Sequence, residues 1–125
     1  AMMEERRKNA KYFKEKFKEI VITQAEHGTS SWFGFSVIHP DIDRKILTNA
    51  LQAAQVEIRP IVAGNFLRNP VIRYLDYEVV GTLPNADTIH DHGFFLGNDS
   101  VDIKDKIDLA YDVINYELHS RGYQW

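Results

Sequence analysis

Between Glu4 and Ile20 the apolar residues Ala10, Phe13, Phe17 and Ile20 recur three and four apart, with charged residues between them. That spacing predicts an amphipathic helix over about Glu4 to Glu19. A polar loop through HGTSS follows, then WFGFSVI (Trp32–Ile38), a short aromatic and β-branched run that reads as a buried strand ended by Pro40. Asp41 or Asp43 is placed to cap a second helix whose stripe is Ile42, Ile46, Leu47, Ala50, Leu51 and Ala54. VEIRPIVA (Val56–Ala63) predicts a second strand, and Pro60 within it points to an edge or a bulge. After the loop AGNFLRNP, Pro70 suits the first turn of a short helix, VIRYLD. DYEVVGTL is a connector. Asn85 is expected to cap a short helix closing at Gly93, GFFLG forms a third strand, and Ser100 or Asp102 opens a long helix along Ile103, Ile107, Ala110, Ile114 and Leu118.

The order α-β-α-β-α-α-β-α predicts an α/β (α+β) domain. Its small, mostly antiparallel sheet of three or four strands is covered by helices on one face. The strands expected are Trp32–Ile38, Val56–Val62 and Phe94–Leu96, packed on the helices containing Ile46 and Ile107.

Length and composition narrow this further. At 125 residues the chain makes one domain, and 44% apolar with 26% charged residues is the profile of a folded soluble protein. There are no cysteines, which removes disulfides, thiolate metal sites and a cysteine nucleophile and agrees with a cytoplasmic location. No run approaches the ~20 apolar residues of a membrane span. A net charge of −3 opposes general nucleic-acid binding, and the basic cluster RRKNAKYFKEKFK is interleaved with glutamates, as on a solvated helix face.

Few residues are arranged for chemistry. His90 and His92, two apart on an expected helix, point to different faces and cannot share a metal ion unless the segment is extended. The glycine spacing matches no phosphate-binding loop, and no serine stands in a nucleophile-elbow setting. The aromatic strands WFGF and GFF would suit base stacking in an RNA-binding module, against which the acidic balance counts. The unusual segment is AGNFLRNP. Arg59 and Arg68 near a strand end, with Asn65 and Asn69 as neutral hydrogen-bond formers, make a site for a phosphate and hydroxyls. The competing reading pairs both arginines with surface carboxylates.

At these residues EIRPIVAGNFLRNP resembles the small-domain signature of the sugar-nucleotide aminotransferases and dehydrases of the DegT/StrS type, closest to the deoxysugar 3-dehydrase branch. NAKYFKEKF is similar to the helix that leaves the large domain in that family. SSWFGFSVI resembles its first small-domain strand, and LPNADTIHDHGFFLGN its closing segment. The resemblance runs from about Asn9 to Leu118. It implies a C-terminal small domain of the aspartate-aminotransferase fold, with the helix of residues 1–20 continuing from a large domain outside this chain. It also implies pyridoxal phosphate bound by that large domain, a sugar-nucleotide substrate from deoxysugar biosynthesis, and a homodimer. On this reading no catalytic or cofactor-binding residue is expected here, and the isolated chain is expected to be inactive. Arg59, Asn65, Phe66, Arg68, Asn69, His92 and Phe95 would border the substrate. The alternative is a free-standing α/β module that binds nucleic acid or protein.

Overall fold

The protein was analysed as a computed structural model, which describes residues 1–124. Helix α1 (Met2–Phe17) buries Ala10, Phe13 and Phe17 along one stripe. It starts two residues earlier than the periodicity predicts, because Met2 and Met3 extend the helix while staying exposed. Strand β1 (Gly34–Ile38) lies within the predicted run. Helix α2 (Arg44–Ala53) is capped by Asp43, whose carboxylate accepts the Lys45 amide at 2.8 Å. Of its predicted stripe, Ile42 lies just before the helix and is still buried, and Ala54 is the residue that ends it.

Strand β2 is only Ile58–Arg59, much shorter than the predicted Val56–Val62. Pro60 has no amide proton with which to continue the ladder. Two 3-10 turns follow, Phe66–Arg68 and Pro70–Tyr74, the first lying inside what the sequence presents as loop. Helix α3 (Pro84–His92) departs from the prediction at its start. Asn85 is not the cap: Leu83 holds that position and Pro84 opens the helix, where its fixed φ and missing amide proton cost nothing. The helix closes at Gly93 as expected, and strand β3 (Gly93–Gly97) begins there. Helix α4 (Lys104–Ser120) buries Ile107, Ala110, Ile114 and Leu118, and the Asp102 carboxylate accepts its first amide at 2.9 Å.

The three strands form one antiparallel sheet in the order β1-β3-β2. Phe35 faces Leu96 and Val37 faces Phe94 on the inner side, where they join Phe13, Phe17, Leu47, Leu51 and Ile107 in the core. By strand alternation the row Ser36, Phe95 and Arg59 lies on the outer side. Phe95 needs space there. A Cβ on Gly34 would lie 2.3 Å from Cε1 of Phe95, so the ring occupies the place a side chain would take. The free edge of β1 is closed by Ile22, which exchanges both backbone hydrogen bonds with Ile38, and by the Gln24 side chain.

One polar side chain is fully enclosed by this arrangement. Asn9 on α1 donates to the carbonyls of Asp99 (3.2 Å) and Val101 (2.8 Å) and to Asn98 Oδ1 (3.2 Å), and accepts from the Ile103 amide at 3.4 Å. Replacing it removes the shared partner of three half-buried acceptors and of the buried Ile103 amide at once. Asn9→Ala is expected to lower unfolding stability by about 3 kcal/mol in a denaturant titration, as much as a large core truncation, although it removes little apolar surface.

Candidate functional site

The predicted site residues separate into three places. The first is the AGNFLRNP loop, which rests on α3. Asn65 is buried to 6% exposure, its amide nitrogen Nδ2 donates to Asp87 at 2.8 Å, and its Oδ1 accepts the Leu67 amide at 3.0 Å. Its backbone amide donates to His90 Nδ1 at 3.2 Å, which sets the imidazole proton on Nε2. Arg68 lies 2.8 Å from Asp91 and 3.5 Å from Asp87. Asn69 caps the second 3-10 turn by accepting the Val71 amide at 3.0 Å, and Phe66 is half exposed beside it. Gly64 enters this loop with φ +52°, a left-handed conformation that a side chain resists.

The second place is the outer face and edge of the sheet. Arg59 and Phe95 are cross-strand partners, and Phe33 stacks on Phe95 with ring centroids 6.0 Å apart. Arg59 pairs with Glu57, both largely exposed, so the pair is screened and easily exchanged. A groove of about 550 Å³ opens here between β2, the end of β3 and α4, bordered by Phe33, Arg59, Phe95, Asn98, Lys106 and Leu109. Asn65 and Arg68 do not line it.

His92 occupies the third place. Its Nδ1 is 2.6 Å from the Ile42 carbonyl, and it therefore donates there, away from the loop. His39 is nearby, edge-on to Tyr123, and burial holds its pKa below the ordinary histidine value, with His92 acting in the same direction. His90 and His92 do face different ways, as two-residue helical spacing requires. No group of three His, Asp or Glu residues suited to a metal ion exists among the described residues.

Both arginines therefore meet carboxylates of this chain, as the competing sequence reading holds. The partners of the loop went unrecognised in the sequence. A signal for them exists: Asp87, His90 and Asp91 share one face of a helix by three- and four-residue spacing.

Pyridoxal phosphate finds no fitting set of side chains here. Its lysine needs a sheltered amine facing a cavity, and Lys106, the lysine on the groove, is exposed. The half-buried Lys14 and Lys16 are occupied by Glu26 and Asp108 and lie over the rings of Trp32 and Tyr111. What these residues can do is bind, order a loop and exclude water.

Four α-helices packed with a three-stranded antiparallel sheet make this a small α/β fold. Residues 1–105 match the DegT/DnrJ/EryC1/StrS aminotransferase family, and the chain belongs to it. It is 45% identical over 115 residues to GDP-4-keto-6-deoxy-D-mannose 3-dehydratase of Escherichia coli, covering 87% of this chain and 30% of that protein. With the enzyme of the same description from Yersinia pseudotuberculosis it shares 40% identity, over 91% of this chain and 30% of the relative. The crystal structure of a GDP-4-keto-6-deoxymannose 3-dehydratase variant with bound GDP-perosamine superimposes with a TM-score of 0.85 at 43% identity, covering 90% of this chain and 31% of that one. The Escherichia coli enzyme with hydrated pyridoxal phosphate gives 0.84 at the same identity and coverage. An aminotransferase of the family from Brucella abortus shares the fold at 21% identity, with a TM-score of 0.76 over 91% of this chain and 30% of that one. The chain thus spans about 30% of the length of the relatives it matches.

No helix among the described residues is long and apolar enough to cross a membrane. Pyridoxal phosphate added to the isolated chain is expected to give no stoichiometric absorbance band at a single lysine and no transaminase turnover. A saturable band at one site would show that the reaction centre lies in these residues.

Proposed function

We propose that this chain is the C-terminal small domain of a pyridoxal-phosphate enzyme that removes the C3 hydroxyl from a nucleotide-linked 4-keto-6-deoxy sugar, with GDP as the carrier. The observation that supports this reading most is the 45% identity to the Escherichia coli 3-dehydratase over 87% of the chain. The cofactor, when bound in the large domain, supplies an electron sink for the reaction. Helix α1 continues from that large domain, and two copies of the whole protein pair. Aminotransfer to a keto-sugar nucleotide is the neighbouring reading, because the family is described by it. The two part at one residue outside this chain, lysine for transfer and histidine for dehydration.

This chain's own part is to cover the sugar nucleotide. Arg59 exchanges its exposed pairing with Glu57 for a phosphate oxygen, and Phe95 gives the groove an apolar wall beside it. Asn65 orders the loop, while Phe66 and Asn69 on its exposed side exclude water and hydrogen-bond sugar hydroxyls. Arg68 meets negative charge first on Asp87 and Asp91 and lends the loop its shape. His92, engaged with the Ile42 carbonyl, lies apart from this surface and has no part in it.

A hybrid tests this directly: the matching segment of the Escherichia coli dehydratase is replaced by this chain and assayed with GDP-4-keto-6-deoxymannose, cofactor and glutamate. Turnover with loss of the C3 hydroxyl is the expected result. Arg59→Ala should raise KM about tenfold or more, the effect of losing a hydrogen bond to a charged group, with the fold intact. A hybrid that folds and holds cofactor but leaves the substrate unchanged contradicts the proposal. So do unchanged kinetics for Arg59→Ala, Asn65→Ala and Arg68→Ala together.

A further inference from the structure

Helix α3 touches the AGNFLRNP loop through three nearly consecutive residues, none of them assigned to substrate above. Asp87 serves two partners at once, accepting from Asn65 Nδ2 at 2.8 Å and facing Arg68 at 3.5 Å. Asp91, one turn on, holds the same guanidinium nitrogen at 2.8 Å. Between them His90 accepts the Asn65 amide, and its ring fills the space that a Gly64 side chain would need, with a built Cβ only 2.8 Å from Nδ1. Each ion pair alone is worth little, since Arg68, Asp87 and Asp91 are 42%, 53% and 48% exposed. Their strength lies in convergence on a segment whose own regular structure is the single 3-10 turn Phe66–Arg68, with a second turn opening at Pro70.

We infer that Asp87, His90 and Asp91 are positioning residues that latch the loop of residues 63–70 onto α3, so that Phe66 and Asn69 meet the sugar nucleotide in one fixed arrangement. The latch acts through Asn65 and Arg68. Two carboxylates face one guanidinium, so Arg68 is committed to the latch and Arg59 is the arginine left to meet a diphosphate. This inference rests on the function proposed above only for its effect on substrate. The latch itself is a property of this chain alone.

Amide hydrogen exchange on the isolated chain and steady-state kinetics of the hybrid dehydratase test it together. Asp87→Ala and the double variant Asp87→Asn/Asp91→Asn are expected to speed exchange at the Asn65 and Leu67 amides about tenfold, with the α4 amides unchanged. In the hybrid the same variants should raise KM about fivefold to tenfold and keep kcat within about twofold, since ordering the loop acts on binding. Asp87→Glu, which keeps the charge and an acceptor, should recover much of the loss. Unchanged exchange at Asn65 and Leu67 overturns the latch. Faster exchange with an unmoved KM overturns the positioning role, as does a fall confined to kcat. A hybrid inactive with the native loop rejects the proposed function instead, and exchange then decides the latch by itself.

Discussion

The buried amide of Asn9 is the interaction on which the rest of this fold depends. A polar group without water must find partners inside the protein, and Asn9 finds them only if three segments arrive together. Its own helix must lie across the sheet, the turn after β3 must fold back over it, and α4 must begin at one residue. Asn98 extends the constraint, donating to the carbonyls of Arg6 and Trp32. Trp32 has φ +54°, a conformation that costs on the order of 1–3 kcal/mol for a non-glycine residue unless its surroundings fix it. Asn98 and the buried indole do so, and they set where β1 begins. Apolar packing supplies most of the stability, but hydrophobic contact is non-directional. The amide fixes which helix meets which strand end.

That constraint bears on the separation of the two regions proposed to meet substrate. The Asn9 junction orders the β3–α4 end of the sheet, where Asn98 and Lys106 help border the groove with Arg59 and Phe95. The opposite end of β3 begins at Gly93, directly after α3, and there the AGNFLRNP loop is held by side-chain bonds alone. One region is shaped by the core and the other by a surface helix. The proposed division of labour between Arg59 and the loop is drawn along this separation.

Much of the fold was legible in the sequence because it rests on periodicity. The stripes of α1, α2 and α4 and the dense apolar runs of Trp32–Ile38 and GFFLG mark buried elements, and burial is what decides them. The errors fall where backbone chemistry decides instead. Pro60 ended β2 after two residues, and Pro84 took the helix start from Asn85. The sequence also drew attention to Asn65, Arg59 and Arg68, which are unusual residues for a short loop and strand end. It left their partners hidden, because Glu57 lies beside Arg59 and looks like ordinary surface, while Asp87 and Asp91 read as solvent-facing residues of a polar helix. Spacing along α3 contains the information that they share a face. Nothing local says which loop that face meets.

The central claim is that this loop, held by α3, and Arg59 on the sheet edge together receive a sugar nucleotide. An experimental structure of the hybrid dehydratase with a GDP-linked sugar bound tests it most directly. The account predicts the Asn65–Asp87 and Arg68–Asp91 contacts intact, Phe66 or Asn69 against the sugar, and Arg59 released from Glu57 to within hydrogen-bond distance of a phosphate oxygen. A ligand bound with both the loop and Arg59 beyond contact, and their partners unchanged, would contradict it.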